Sequence, residues 1–232
     1  MKREQTKRSF TLIELLVATV VIVALLAVTA PVLRGAYIRA AGTACLNQLQ
    51  LCGRASLRYA DDSDGNLIQY RPWTKDYWAG VLYSENYIQR RDVVACPDLP
   101  AREFCWEATY GMLKAQKTLW PCISSPGDAC TAVRLSAFKD PANAPYLGDS
   151  AEKVGEGLQQ IVIVEPFSRS RTWHLRHGGR ADIWYPDGHA AAEDRRLGAV
   201  FGKFLANNGV GGAQDTECFV WQADGRMSEN IR

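Results

Sequence analysis

Residues 10 to 33 read FTLIELLVATVVIVALLAVTAPVL, and Glu14 is the single charge among them. At 1.5 Å of rise per residue this run makes a helix of roughly 36 Å, longer than a hydrocarbon core of about 30 Å. Backbone groups in lipid have no water to bond, so a lone span of this kind satisfies them internally, as a helix. The run follows a basic flank in which Lys2, Arg3, Lys7 and Arg8 stand against Glu4. The positive-inside rule then leaves the N-terminus in the cytoplasm and sends the rest of the chain outward. A secretory signal peptide shares the basic start, but its apolar region is usually about 7–15 residues. Beyond the first eight residues, 27 − 4 = 23 basic side chains face 25 − 1 = 24 acidic ones. That near-neutral balance lacks the concentrated basic face a nucleic-acid partner requires.

The helical pattern continues past Pro31. Val32, Ala36, Ala40, Ala44, Leu49, Cys52 and Leu57 recur at helical spacing, with Arg34, Arg39, Gln48 and Arg58 between them. Asp62-Ser63-Asp64-Gly65-Asn66 is strong turn chemistry and ends the helix. A continuous helix over about residues 10–61 follows, its first half in the membrane and its second half packed on a soluble domain. A further short helix is expected over residues 76–85, and strands over 109–114, 160–165, 181–185 and 217–222. A last helix is expected from residue 193 or 194 to 208. A long helix followed by strands and tight turns is an α+β arrangement with an antiparallel sheet.

The string KRSFTLIELLV resembles the processing site of type IV prepilins: basic leader, small residue, Phe, three residues, Glu. The resemblance implies cleavage between Ser9 and Phe10 by a prepilin peptidase, N-methylation of Phe10, and assembly through Glu14. In a filament Glu14 would meet the new amine of a neighbouring subunit, which satisfies both charges. Where the family usually carries Gly before the cut, this chain has Ser9. Pro31 also falls where pilin helices commonly kink. Farther on, HLRHGGRADIWYPDGHAAA holds His177, nine residues, then Asp187-Gly188 and His189. This is similar to the H-x9-DG domain found behind such leaders. The stretches CLNQLQLCGRASLRYADDSDGN, VVACPD and PANAPYLGDS fit the same family in the same order.

Asp187-Gly188 also reads as a hairpin turn, because Gly accepts positive φ and Asp bonds its local backbone. His177, Asp187 and His189 are alternatively imidazole and carboxylate metal ligands, a weaker reading that leaves no metal and no cofactor expected. Asp61, Asp62 and Asp64 lack the full acidic loop of a Ca²⁺ site and are read as a helix-ending turn. None of the seven cysteines (Cys45, Cys52, Cys96, Cys105, Cys122, Cys130 and Cys218) forms a C-x-x-C pair. Cys45 and Cys52 lie about 10.5 Å apart on a helix, beyond disulfide reach of each other. In an oxidising compartment two bridges are expected among Cys96, Cys105, Cys122 and Cys130. The seven tryptophans are read mainly as core, with an aromatic ligand platform as the sharper alternative.

These observations divide the chain into a basic leader (1–9), a transmembrane segment (10–33), the soluble half of the long helix (34–61) and an α+β head (62–232). The expected function is that of a pseudopilin or minor pilin, a non-enzymatic subunit of a type II secretion-like or type IV pilus-like system. It would sit in the bacterial inner membrane as a single-pass protein with its head in the periplasm or outside. Its partners would be prepilin peptidase, other pilin-like subunits through the N-terminal helix, and the inner membrane. The alternative is a membrane-anchored ectodomain that binds a ligand or metal at the cell surface. An enzyme is not expected, since no nucleophile motif, complete metal motif or phosphate loop is present.

Overall fold

The computed structural model describes residues 11–99, 104–114, 122–124, 130–154, 157–165, 170–194, 196–197, 220–222 and 226–227. The chain divides into two units, Met1–Ala40 and Ala41–Arg232. A single helix, α1 (Leu12–Asp62), carries residues of both and runs through Pro31 without interruption. Ser9 and Phe10 lie outside the described residues.

In the first unit every apolar side chain from Leu12 to Leu33 is exposed, and this helix is long and apolar enough to cross a membrane. Thr19 and Thr29 return their hydroxyls to the carbonyls of Leu16 and Leu25 at 2.8 and 2.9 Å. Such back-bonding lets a polar side chain enter lipid without an unsatisfied donor.

In the second unit α1 presents a buried stripe of Ala41, Cys45, Leu49, Cys52, Ser56 and Ala60. The sequence pattern placed Ala44 and Leu57 on this stripe; Ala44 is exposed and Leu57 only half-buried. Small residues occupy both faces, so composition alone does not fix the rotation. Gly53 makes the closest approach, for a Cβ there would stand 2.1 Å from Trp184 Nε1. The helix ends where Gly65 N donates to Ala60 O at 2.8 Å, with Asp64 and Gly65 both at positive φ.

The head continues through strands β1 (Asn66–Ile68), β2 (Tyr70–Arg71) and β3 (Asp76–Tyr77), then helix α2 (Trp78–Ser84). Strands β4 (Gly111–Leu113), β5 (Cys122–Ser124), β6 (Cys130–Arg134), β7 (Leu147–Gly148), β8 (Ser150–Val154) and β9 (Gly157–Gln159) follow. The last are β10 (Ile163–Val164), β11 (Arg171–Leu175), β12 (Ala181–Trp184), β13 (Ala190–Glu193) and β14 (Val220–Gln222). They form a five-stranded sheet β10-β4-β7-β12-β13, a four-stranded sheet β14-β11-β8-β9, a three-stranded sheet β1-β6-β5 and the ribbon β2-β3. Most pairs are antiparallel as expected, but β10 with β4 and β11 with β14 are parallel. The layout is therefore α+β with a mixed sheet region. Parallel neighbours need long connections, which leave no short-range turn signal in the sequence.

The core between α1, α2 and the sheets is built from Leu49, Leu67, Trp78, Leu82, Tyr110, Met112, Tyr146, Trp173 and Trp184. Trp78, Trp173 and Trp184 are thus core residues, whereas Trp73 is 78 % exposed. The expected last helix does not begin at residue 193 or 194, since Glu193 ends β13; Leu197 is helical, and residues 198–208 lie outside the described set. The expected pair of bridges is also corrected. Cys96 and Cys105 are free thiols, as are Cys45 and Cys52, and Cys130 is disulfide-bonded. Cys96 is buried beside Cys45 and His177, and Cys105 is exposed.

Candidate functional site

The His177 side chain lies among several buried polar groups of the head. It sits in the turn between β11 and β12, where His177 N donates to Arg180 O at 3.0 Å. Its Nε2 lies 3.3 Å from Cys96 Sγ and 3.3 Å from Asp149 Oδ2. On the other side of the ring, Nδ1 is 2.9 Å from Asp98 Oδ2, out of line for a hydrogen bond. Cys45 Sγ closes the group, 3.4 Å from Asp149 Oδ1 and 3.1 Å from Tyr110 Oη.

Each member is held by a different part of the fold. Cys45 comes from the buried stripe of α1, and Cys96 follows the short 3₁₀ turn Arg91–Val94. Asp149 occupies the step from β7 to β8, where the chain leaves the five-stranded sheet for the four-stranded one. Its backbone serves both sheets, with N donating to Asp182 O and O accepting from His174 N, each at 2.9 Å. The amide of Asp182 in turn donates to Asp149 Oδ2 at 2.9 Å, which fixes the carboxylate.

The charges are strongly biased. Burial pushes the Asp149 carboxyl up, but Arg176 and His177 outweigh it and hold the group below its ordinary range. Arg176 Nε stands 3.6 Å from Asp149 Oδ1, and its Nη2 donates to Ser150 O at 2.5 Å. Burial works against an imidazolium at His177, yet hydrogen bonds to Asp149 and Cys96 raise it to about 10. Asp182, 3.7 Å from His177 Nε2, is raised to about 7 by burial and then by the charge of Asp149. The Cys96 thiol is drawn down by its bond to the Cys45 sulfur, against burial and with help from His177.

The sequence motif therefore splits. His177 enters the buried group, while Asp187 and His189 pair with each other on an exposed turn, Nδ1 to Oδ1 at 2.6 Å. Asp187-Gly188 is the turn of the β12–β13 hairpin, in which Gly188 has φ 100° and Tyr185 N donates to His189 O at 2.9 Å. Gln50 Nε2 of α1 donates to Gly188 O at 2.7 Å and ties the turn to the helix. The Tyr185 and His189 rings stack at 4.4 Å. The three residues weighed as joint ligands are not one site.

Glu14 has a partner within its own chain. Its Oε2 accepts from Thr11 N at 2.9 Å and from Thr11 Oγ1 at 2.8 Å, while Glu14 N faces Thr11 Oγ1 at 3.3 Å. This is a capping box, and Thr-x-x-Glu before an apolar run is its sequence signature. The buried group had no such signal. Cys45, Cys96, Asp149 and His177 come from four separate stretches with no spacing that links them.

No family model, curated protein or solved structure matches the chain.

Proposed function

We propose that the chain is a pilin-like structural subunit: a pseudopilin or minor pilin, cut between Ser9 and Phe10 by prepilin peptidase. It is held in the bacterial inner membrane and assembled with other pilin-like subunits through its N-terminal helix, in a type II secretion-like or type IV pilus-like system. The observation that carries this reading is α1 itself. Its apolar part is wholly exposed, and from Ala41 onward it supplies a buried stripe to the head. An exposed apolar helix of this length requires lipid or other helices around it. The head supplies contacts rather than chemistry, and its buried polar group serves its architecture.

Glu14 provides the test. Its capping role survives in Glu14→Gln, since Gln also serves at the third helical position, whereas Glu14→Ala loses both cap and charge. If pairing with a neighbour's N-terminal amine drives assembly, both variants insert and are processed but fail to crosslink into oligomers in native membranes. Oligomers of Glu14→Gln at wild-type yield would contradict the pairing. A chain that stays monomeric in wild-type form would instead describe an anchored ectodomain.

A further inference from the structure

The polar group in the head gathers four side chains of metal-ligating type at one point. Cys45 Sγ, Cys96 Sγ, an Asp149 oxygen and a His177 ring nitrogen all lie within 4.8 Å of one another, and all four residues are buried. We propose that these four side chains bind one divalent transition-metal ion of the Zn²⁺ type in a closed, tetrahedral, structural site.

Ligand spacing supports this. Four donors at about 2.0–2.3 Å from a tetrahedral ion stand about 3.3–3.8 Å from one another. In the head Cys96 Sγ to His177 Nε2 and Nε2 to Asp149 Oδ2 are both 3.3 Å, Cys45 Sγ stands 3.4 Å from the other Asp149 oxygen, and the whole set falls within 4.8 Å, so a bound ion draws the four donors slightly inward. Two sulfurs, one imidazole nitrogen and one carboxylate suit zinc better than calcium or magnesium, which prefer all-oxygen shells.

The surroundings of His177 are compatible with it. Metal-bound histidines characteristically give their second ring N–H to a carboxylate, which fixes the tautomer. Asp98 Oδ2 stands 2.9 Å from Nδ1, on the opposite edge of the ring from Cys96 and Asp149, near enough for that role once the carboxylate turns into line with the N–H. With the proton on Nδ1, the Nε2 lone pair points towards Cys96 Sγ and Asp149 Oδ2, a sulfur and a carboxylate between which a cation fits. Arg176 approaches Asp149 through Oδ1 at 3.6 Å, while His177 approaches through Oδ2, so Arg176 and an ion held by His177 address different oxygens. The Asp98 side chain is 19 % exposed and His177 only 4 %, which puts the solvent-facing edge of the site at Asp98.

The inference does not depend on filament assembly, because the ligands all belong to the head unit. Its competitors are a proton on Nε2, making a simple imidazolium–carboxylate pair, and a Cys45–Cys96 disulfide. The test is metal analysis of the full chain, purified in detergent from zinc-supplied cells, followed by cobalt exchange. One zinc per chain is expected, replaced by Co²⁺ with tetrahedral d–d bands and a thiolate-to-cobalt charge-transfer band. Cys96→Ser abolishes the charge-transfer contribution of that sulfur, whereas Cys105→Ser, at an exposed free thiol, leaves the spectrum unchanged. Asp98→Asn is at the edge and keeps all four ligands, so it folds and weakens zinc affinity about 10–100-fold in a chelator competition. Reduced protein that takes up neither metal, or a mass showing Cys45 and Cys96 joined with loss of two hydrogens, overturns the proposal. So does bound metal whose affinity is indifferent to both Cys96→Ser and Asp98→Asn.

Discussion

Gly53 shows how much one missing side chain can decide. It sits on the buried face of α1, where the indole of Trp184 fills the space a Cβ would take. Trp184 is fully buried, so the ring cannot swing into solvent. Gly53→Ala is therefore expected to destabilise the head by about 1–3 kcal/mol, the usual cost of overpacking. Thermal melts of the full chain in detergent micelles, followed by tryptophan fluorescence, read this directly. Gly35→Ala is the control, since nothing lies within 4 Å of a Cβ at that position; it leaves the melt unchanged or slightly higher. Equal melts for the two variants would contradict the packing. From sequence alone the two glycines look alike, because the difference between them is a ring contributed from far along the chain.

Among the elements, the long helix was legible and the sheets were less so. The apolar run, the turn after residue 61 and the helical spacing all act locally, and α1 spans Leu12–Asp62. The strands at Gly111–Leu113, Ile163–Val164, Ala181–Trp184 and Val220–Gln222 also lie within stretches read as strands. Their neighbours were not legible, because β10 beside β4 and β14 beside β11 are parallel pairings made over long sequence distances. The buried site fails for the same reason, with each ligand in its own element and no spacing rule linking them. The β12–β13 hairpin is the opposite case, encoded in two residues. Gly188 has φ 100°, and a Cβ there would meet Leu57 Cδ1 at an ordinary 3.5 Å. The cost of Gly188→Ala is then one of backbone conformation, about 1–3 kcal/mol. A melt as stable as wild type would show that the turn adapts without strain.

At the scale of the whole molecule, two units with opposite requirements share one chain. Met1–Ala40 carries an apolar helix that needs lipid or other helices, and Ala41–Arg232 carries a head with its own core. Assembly through the first and rigidity from the second are what the proposed structural subunit requires. A buried metal in the head would add folding free energy without asking the domain to catalyse anything. The central claim is that this chain enters the prepilin route, and its processed N-terminus tests that most directly. Intact mass spectrometry with N-terminal sequencing, on protein taken from the membranes of its native host, is expected to find a chain beginning at N-methylated Phe10. A chain beginning at Met1 would contradict the account and leave a signal-anchored ectodomain in its place.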